Sequence, residues 1–188
     1  GNRELEERTR LSTAVDPENR LLWRMNRRRL DFEALRDSLL AVSGVLDATM
    51  GGPSIDLAAQ PFSHRRTVYG FIERQNLPGM LRTFDFASPD THCPQRFTTT
   101  VPQQALFLMN SPFVVEQARQ FASRPEIMGT AEPAERIRRL YSMALGRSPT
   151  DEELELGLRF IRESEKPVSA WDTYAQALLL SNEFVFVD

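Results

Sequence analysis

The sequence predicts a mainly α-helical, bundle-like domain with a small two-stranded β element and one long ordered loop. Three observations carry that expectation. Apolar residues recur at spacings of three and four around "FEALRDSLLAVSGVL" and over most of the second half of the chain. Strand-like enrichment in β-branched and aromatic residues is confined to "RRTVYGFIER". Between these stretches, Asp85–Thr100 shows neither period and is dense in Pro, Asp and Thr, the residues of turns and caps.

Taken in order, residues 1–15 are charged without a clear apolar face and read as a linker or frayed segment, leaving 16–188 as a single mainly helical domain. "DPENRLLWRMNRRR" predicts a helix with Asp16 as N-cap, Pro17 at its first position and Leu21, Leu22 and Met25 inward. Asp31 caps the next helix, whose stripe is Phe32, Leu35, Leu39, Val42 and Leu46. Gly51, Gly52 and Pro53 make a turn. A short strand is expected over Thr67–Ile72, paired near Ile55, followed by one helical turn in "LPGMLRTF". Thr100 with Gln103 fits a capping box ahead of "ALFLM", and Ser111 with Pro112 starts the helix after it. Three closing helices follow. The first carries Ile137, Leu140, Tyr141 and Ala144 and stops at Gly146; the second opens on Thr150 and Glu153 and turns Leu154, Leu158 and Ile161 inward. Ser169 caps the third, with Trp171, Tyr174 and Leu178 on its face. Short connections favour packing of consecutive helices against each other.

The bulk numbers narrow the partners. A net charge of −3 is unlike a generic nucleic-acid binder, which is strongly basic. Basic charge comes from 22 arginines and the single Lys166. The most basic stretch, "RMNRRR", spreads its arginines around a helix and is followed by Asp31, Glu33 and Asp37, which points to internal ion pairing rather than a nucleic-acid groove. One cysteine excludes an internal disulfide framework and a cysteine-rich zinc site. No apolar run approaches the roughly 18–20 residues that cross a bilayer. The chain starts at Gly1 with a polar stretch and is read as a C-terminal fragment of a larger protein.

Chemistry-bearing residues gather in the long loop. Asp85, Asp90, His92 and Cys93 all carry atoms that ligate metals, but adjacent His and Cys side chains diverge, and zinc asks for three or four ligands at recognisable spacings. The other reading makes Cys93 a small buried apolar group and the aspartates turn formers. A cysteine nucleophile would need His92, or His64 folded back, as its base. Arg96 followed by Thr98, Thr99 and Thr100 stands just before a helix start, where free N–H groups and the helix dipole favour anions. That set is either a cradle for an anionic ligand, or a threonine cap with Arg96 paired to Asp85 or Asp90. No phosphate-loop, dinucleotide, zinc-protease, nucleophile-elbow or c-type heme motif occurs.

Six blocks, "NRLLWRMNRRRLDFEALRDSLLAVSGVLD", "MGGPS", "RRTVYGFIERQNLP", "FDFASPDTHCPQRFTTTVPQQALFLMNSPFV", "RIRRLYSMALGRSPTDEEL" and "ALLLSNEFVFVD", occur in this order from Asn19 to Asp188. Together they resemble the C-terminal domain of unknown function 1553, the PSD-one module of large planctomycete-type envelope proteins. The resemblance implies an exported, cytochrome-associated multidomain parent in the cell envelope or a periplasm-like compartment, concerned with polysaccharide. Heme, where the parent holds one, belongs upstream, and no cofactor is expected in this chain. No catalytic residues come with the family. Two expectations follow. One is a non-catalytic structural or interaction module that docks other domains of its parent. The other is part of an enzyme site acting on polysaccharide or a redox partner, centred on Asp85–Thr100.

Overall fold

The computed structural model describes residues 2–165 and 167–187, the side chains of 2, 3, 5, 6 and 167–169 excepted. Its helices are α1 (Asn2–Val15), α2 (Phe32–Ser43), α3 (Gly79–Thr83), α4 (Pro102–Asn110), α5 (Pro112–Ala122), α6 (Pro125–Met128), α7 (Pro133–Leu145), α8 (Asp151–Glu163), α9 (Pro167–Leu179) and α10 (Asn182–Val185). Two short strands, β1 (Arg28–Arg29) and β2 (Phe186–Val187), pair antiparallel, Arg28 opposite Val187 and Arg29 opposite Phe186. The architecture is mainly α with a small two-stranded sheet, as the sequence predicts.

Local signals set most helix ends. Asp31 accepts a hydrogen bond from the Ala34 N–H at 2.9 Å and starts α2, which Gly44 closes in the left-handed conformation, φ 83°. Gly146, φ 68°, ends α7 in the same way. Thr150 and Glu153 form the reciprocal box at the start of α8, with Thr150 N–H to Glu153 Oε2 at 2.8 Å and Glu153 N–H to Thr150 Oγ1 at 3.3 Å.

The core is built around α5, which packs against α2 and α4 on one side and α9 on the other. Phe113, Val114, Ala118 and Phe121 are buried along it, one apolar face with Arg119 and Gln120 exposed on the other. Gln117 is buried among them, and its Oε1 accepts from Ser43 Oγ at 2.8 Å, fixing α2 against α5. The closing helices pack in turn, α7 on α8 and α8 on α9. Gly157 of α8 is there because a Cβ would stand 2.4 Å from the Tyr174 hydroxyl of α9.

Four expectations are corrected. Residues 16–29 form no helix. The Asp16 carboxylate accepts from Arg20 N–H (2.9 Å) and Leu21 N–H (2.7 Å), and Asn19 takes a left-handed turn, φ 54°, which stops helix growth. Leu21, Leu22 and Met25 are consequently exposed. The β element is not at Thr67–Ile72: Thr67–Tyr69 is a single 3-10 turn, and Ile55 makes an isolated bridge to Gly70. The segment is held by two backbone bonds, Ile55 N–H to the Tyr69 carbonyl (2.9 Å) and Phe71 N–H to the Ile55 carbonyl (2.7 Å), and by Asp37 of α2, which accepts from the Thr67 N–H and hydroxyl. At α4 the cap is Val101, not Thr100, since Pro102 occupies the first helical position. A valine side chain accepts nothing, so only Gln104 Oε1 contributes, from the Val101 N–H at 3.4 Å. Finally, α9 begins at Pro167, ahead of Ser169, so Ser169 is inside the helix rather than its cap.

A two-carboxylate fork joins the last elements. Arg147, just past α7, donates to Glu153 Oε1 and Oε2, both at 2.7 Å, and to Glu183 of α10 at 2.5 and 2.7 Å. The Arg147 bonds hold Glu153 down at about 2 from an ordinary 4.5, burial opposing them. A lowered carboxylate pKa adds stability that is complete above about 4.5 and is lost as pH falls towards 2. The Arg147 and Glu153 side chains are 35% and 32% exposed, so solvent screening cuts the contribution to about 2 kcal/mol. Arg147→Ala should therefore lower stability by about 2 kcal/mol at pH 7, and the gap from wild type should narrow steadily between pH 5 and pH 3. Urea denaturation across that range checks it; a gap independent of pH would refute the assignment.

Candidate functional site

The long loop is fastened from outside by an arginine that the sequence reading placed on a helix. Asp85 follows α3 in a left-handed conformation, φ 61°, which aspartate tolerates better than most side chains. Its Oδ2 accepts from Arg29 Nη2 at 2.8 Å, Thr99 N–H at 2.8 Å and Gln104 Nε2 at 3.4 Å, while its Oδ1 accepts from Thr99 Oγ1 at 2.7 Å. Arg29 closes the ring by donating through Nε to the Thr99 carbonyl at 3.3 Å and through Nη1 to the Leu30 carbonyl at 3.0 Å. Its guanidinium also lies over the Phe84 ring, 5.2 Å from the centroid. Burial pushes the Asp85 carboxyl up, but the Thr99 and Arg29 bonds outweigh it and hold the group below the ordinary range.

Arg29 is inward because β1 alternates, Arg28 facing out and Arg29 in. Pairing with β2 puts this node where the start of the domain meets its end. Arg28, Arg29, Asp31, Asp85, Arg96 and Thr98 line one polar cavity of about 270 Å³. A second cavity of about 270 Å³ shares Arg29 and Phe84 with it and continues as an apolar groove between α4 and β2, past Thr100, Leu108, Met109 and Phe186. Phe97, on the loop between the two arginine-flanked positions, is 84% exposed.

Of the predicted site residues, Asp85, Arg96, Thr98 and Thr99 come together here, and Thr100 lines the adjoining groove. Arg96 does not pair with Asp85 or Asp90. Its Nη1 reaches Glu33 Oε1 of α2 at 2.9 Å, and its guanidinium stacks 4.5 Å from the Phe86 centroid. Asp90 pairs instead with Arg74 at 3.2 Å. His92 and Cys93 are exposed, so the buried apolar role for Cys93 is overturned; its Sγ donates to the Gln95 carbonyl at 3.2 Å, inside its own turn. Among the described residues no group of three or more His, Cys, Asp or Glu side chains is gathered in one place. Arg28, Arg29, Glu33 and Gln104 were missed. The inward Arg29 had a faint signal, since "RRL" before a capping Asp also reads as a short alternating strand, but its partner β2 lies at the other end of the chain.

The arrangement has clear chemical limits. Asp85 receives four donors, three on Oδ2 and one on Oδ1, so most of its lone-pair capacity as an ionised carboxylate is spent on holding the loop. Arg28, at the rim, has no ion-pair partner among the described residues. The site can therefore hold negative charge beside an apolar surface.

Fold and site define a mainly helical module whose connecting loop is bonded down by an Arg–Asp–Thr node. Residues 3–161 match the model of a family described as protein of unknown function (DUF1553), PSD1, and the chain belongs to that family. The match takes in α1 and ends within α8. No curated protein and no solved structure matches the chain. No helix among the described residues is long and apolar enough to cross a membrane.

Proposed function

We propose that the chain is a non-catalytic interaction module that docks another part of the protein it serves, through the arginine-rimmed cavity and the adjoining groove. The single observation that supports this most is the engagement of the loop's charged side chains. Asp85, Asp90 and Arg96 each bond a separate internal partner, in three different directions, and do not converge on a reacting atom. Beside them lies exposed apolar surface, Phe97 on the loop and Leu106 and Met109 on α4, of the kind that marks contact sites. Arg28 at the rim supplies the charge that an acidic, apolar-bearing segment would complement.

Family resemblance adds the setting: an exported, cytochrome-associated planctomycete envelope protein that handles polysaccharide, with any heme elsewhere in the parent. The enzyme alternative, centred on Asp85–Thr100, finds less support, because its carboxylates are already occupied. Hydrogen exchange tests the docking reading. In the longer parent, residues 96–109 and 182–187 should exchange at least about tenfold more slowly than in this chain alone. Equal exchange in both, or turnover of polysaccharide by this chain, would overturn it.

A further inference from the structure

A further cavity lies elsewhere, and its wall includes a buried arginine whose donors are not all used. It measures about 400 Å³ and lies between α2, the start of α5 and residues 57–62. That volume is within the range of small-molecule sites, which runs from about 300 to 1,000 Å³. Phe32, Phe62, Phe107 and Phe113 form most of its wall, and Arg36 is the single charged residue in it.

Arg36 is only 2% exposed. Its bonds go to neutral oxygens, the carbonyls of Arg65 and Ser63 and the Thr67 hydroxyl, and Nε has no partner. A guanidinium offers five donors, so three bonds leave two unused. The neighbouring Asp37 makes no direct bond to it but stands one hydroxyl away, accepting from the Thr67 hydroxyl that Arg36 bonds and supporting its charge, while the same carboxylate also pairs with Arg66. Two arginines thus share one carboxylate, and a buried guanidinium with unused donors beside an apolar cavity is stabilised by a further anion. The α5 N-terminus adds to this. Ser111, its cap, lines the same cavity and makes no side-chain bond to the first turn, so the positive end of the helix dipole points to the same space.

We infer that this cavity binds a small monocarboxylate with an apolar body of about one or two rings, its carboxylate on Arg36 and the α5 N-terminus, its body among the four phenylalanines. With Asp37 shared between Arg36 and Arg66, one further negative charge balances the group. A phosphate dianion would leave excess charge in the same apolar surroundings. The exposed Gln60 and Asn110 stand at the mouth and leave a way in.

The test uses benzoate and naphthoate as probes, benzamide as the neutral counterpart and acetate as the carboxylate without a body, with binding read by calorimetry and by NMR shifts. One or both aromatic carboxylates should bind, with benzamide at least roughly tenfold weaker and acetate weaker still. Ala58→Trp, at the mouth with Arg36 intact, should abolish binding while the protein stays folded. Arg36→Met, where circular dichroism shows it folded, should weaken binding by roughly tenfold or more. The inference is overturned if neither aromatic carboxylate binds, if benzamide binds equally well, or if binding survives Ala58→Trp.

Discussion

Asp85→Ala is expected to destabilise the protein by about 4 kcal/mol, because it strands a buried cation. The side chain of Arg29 is 4% exposed, against 18% for Asp85, so removing the carboxylate leaves a guanidinium that water cannot reach. The loss extends to the Thr99 N–H and hydroxyl, which both bond Asp85, and alanine is disfavoured at φ 61°. Asp85→Asn separates these effects. Asparagine tolerates the left-handed conformation and keeps one acceptor, so it should cost only about half as much. Arg29→Met removes the cation with little change of volume and should also cost less than Asp85→Ala, since the carboxylate left behind is nearer to solvent. Because the Asp85 pKa is lowered on folding, its contribution is present above the ordinary value of 3.8 and fades as pH falls below it. Urea midpoints for the three variants at neutral pH decide the matter. An Asp85→Ala protein within about 1 kcal/mol of wild type would mean that the node does not hold the loop.

Arg36→Ala should cost about 3–4 kcal/mol. It removes three charge-assisted bonds that tie α2 to the Ser63–Thr67 segment, and it takes away the cation that stacks 5.0 Å from the Phe113 ring centroid. Burial lowers the Arg36 pKa, with Asp37 opposing, yet a guanidinium stays protonated at any ordinary pH, so the loss should not depend on pH between 5 and 8. Arg36→Lys keeps the charge but lacks the planar fork that spans several acceptors, and should recover less than half of the stability. Limited proteolysis gives a second reading: cleavage around residues 57–67 should speed up in Arg36→Ala, because Arg36 holds the Ser63 and Arg65 carbonyls and the Thr67 hydroxyl of that segment. Unchanged cleavage with an unchanged denaturation midpoint would show that the segment's other bonds, such as those of Asp37 to Thr67, suffice.

How much of this was legible beforehand follows from the range of each interaction. Asp31, Gly146, Thr150 and Glu153 were readable because a cap acts within a few residues of itself, whereas the stripe of α2 was carried to Leu46, past the Gly44 that ends the helix. The stripe of α2 and the faces of α7 and α9 were readable for a related reason: a helix repeats its burial every turn. The same local logic failed where a side chain competed with the backbone. The Asp16 carboxylate bonds two N–H groups beyond Pro17 and thereby stops the helix that Asp-Pro normally starts. At α4 the proline was visible, but the threonine triplet drew the cap one residue too early.

The candidate site was legible only as a set of residues, not as an arrangement. Asp85, Arg96 and the threonines stand out in the sequence by type and density, yet nothing local says which arginine meets which carboxylate. Arg29 lies 56 positions from Asp85, Arg96 lies 63 from Glu33, and Ser43 lies 74 from Gln117. Such pairings depend on which helices touch. By itself, then, the sequence determined the helical class, the family and several helix ends, since each rests on periodicity, on order of motifs or on contacts within a turn. Only the tertiary structure decided that Arg29 faces inward, that β1 finds β2 across the whole chain, and that Arg36 stands charged beside an apolar cavity. The physical reason is that the partner of a buried charge is chosen by the packing of distant segments, and no pattern along the chain encodes that distance.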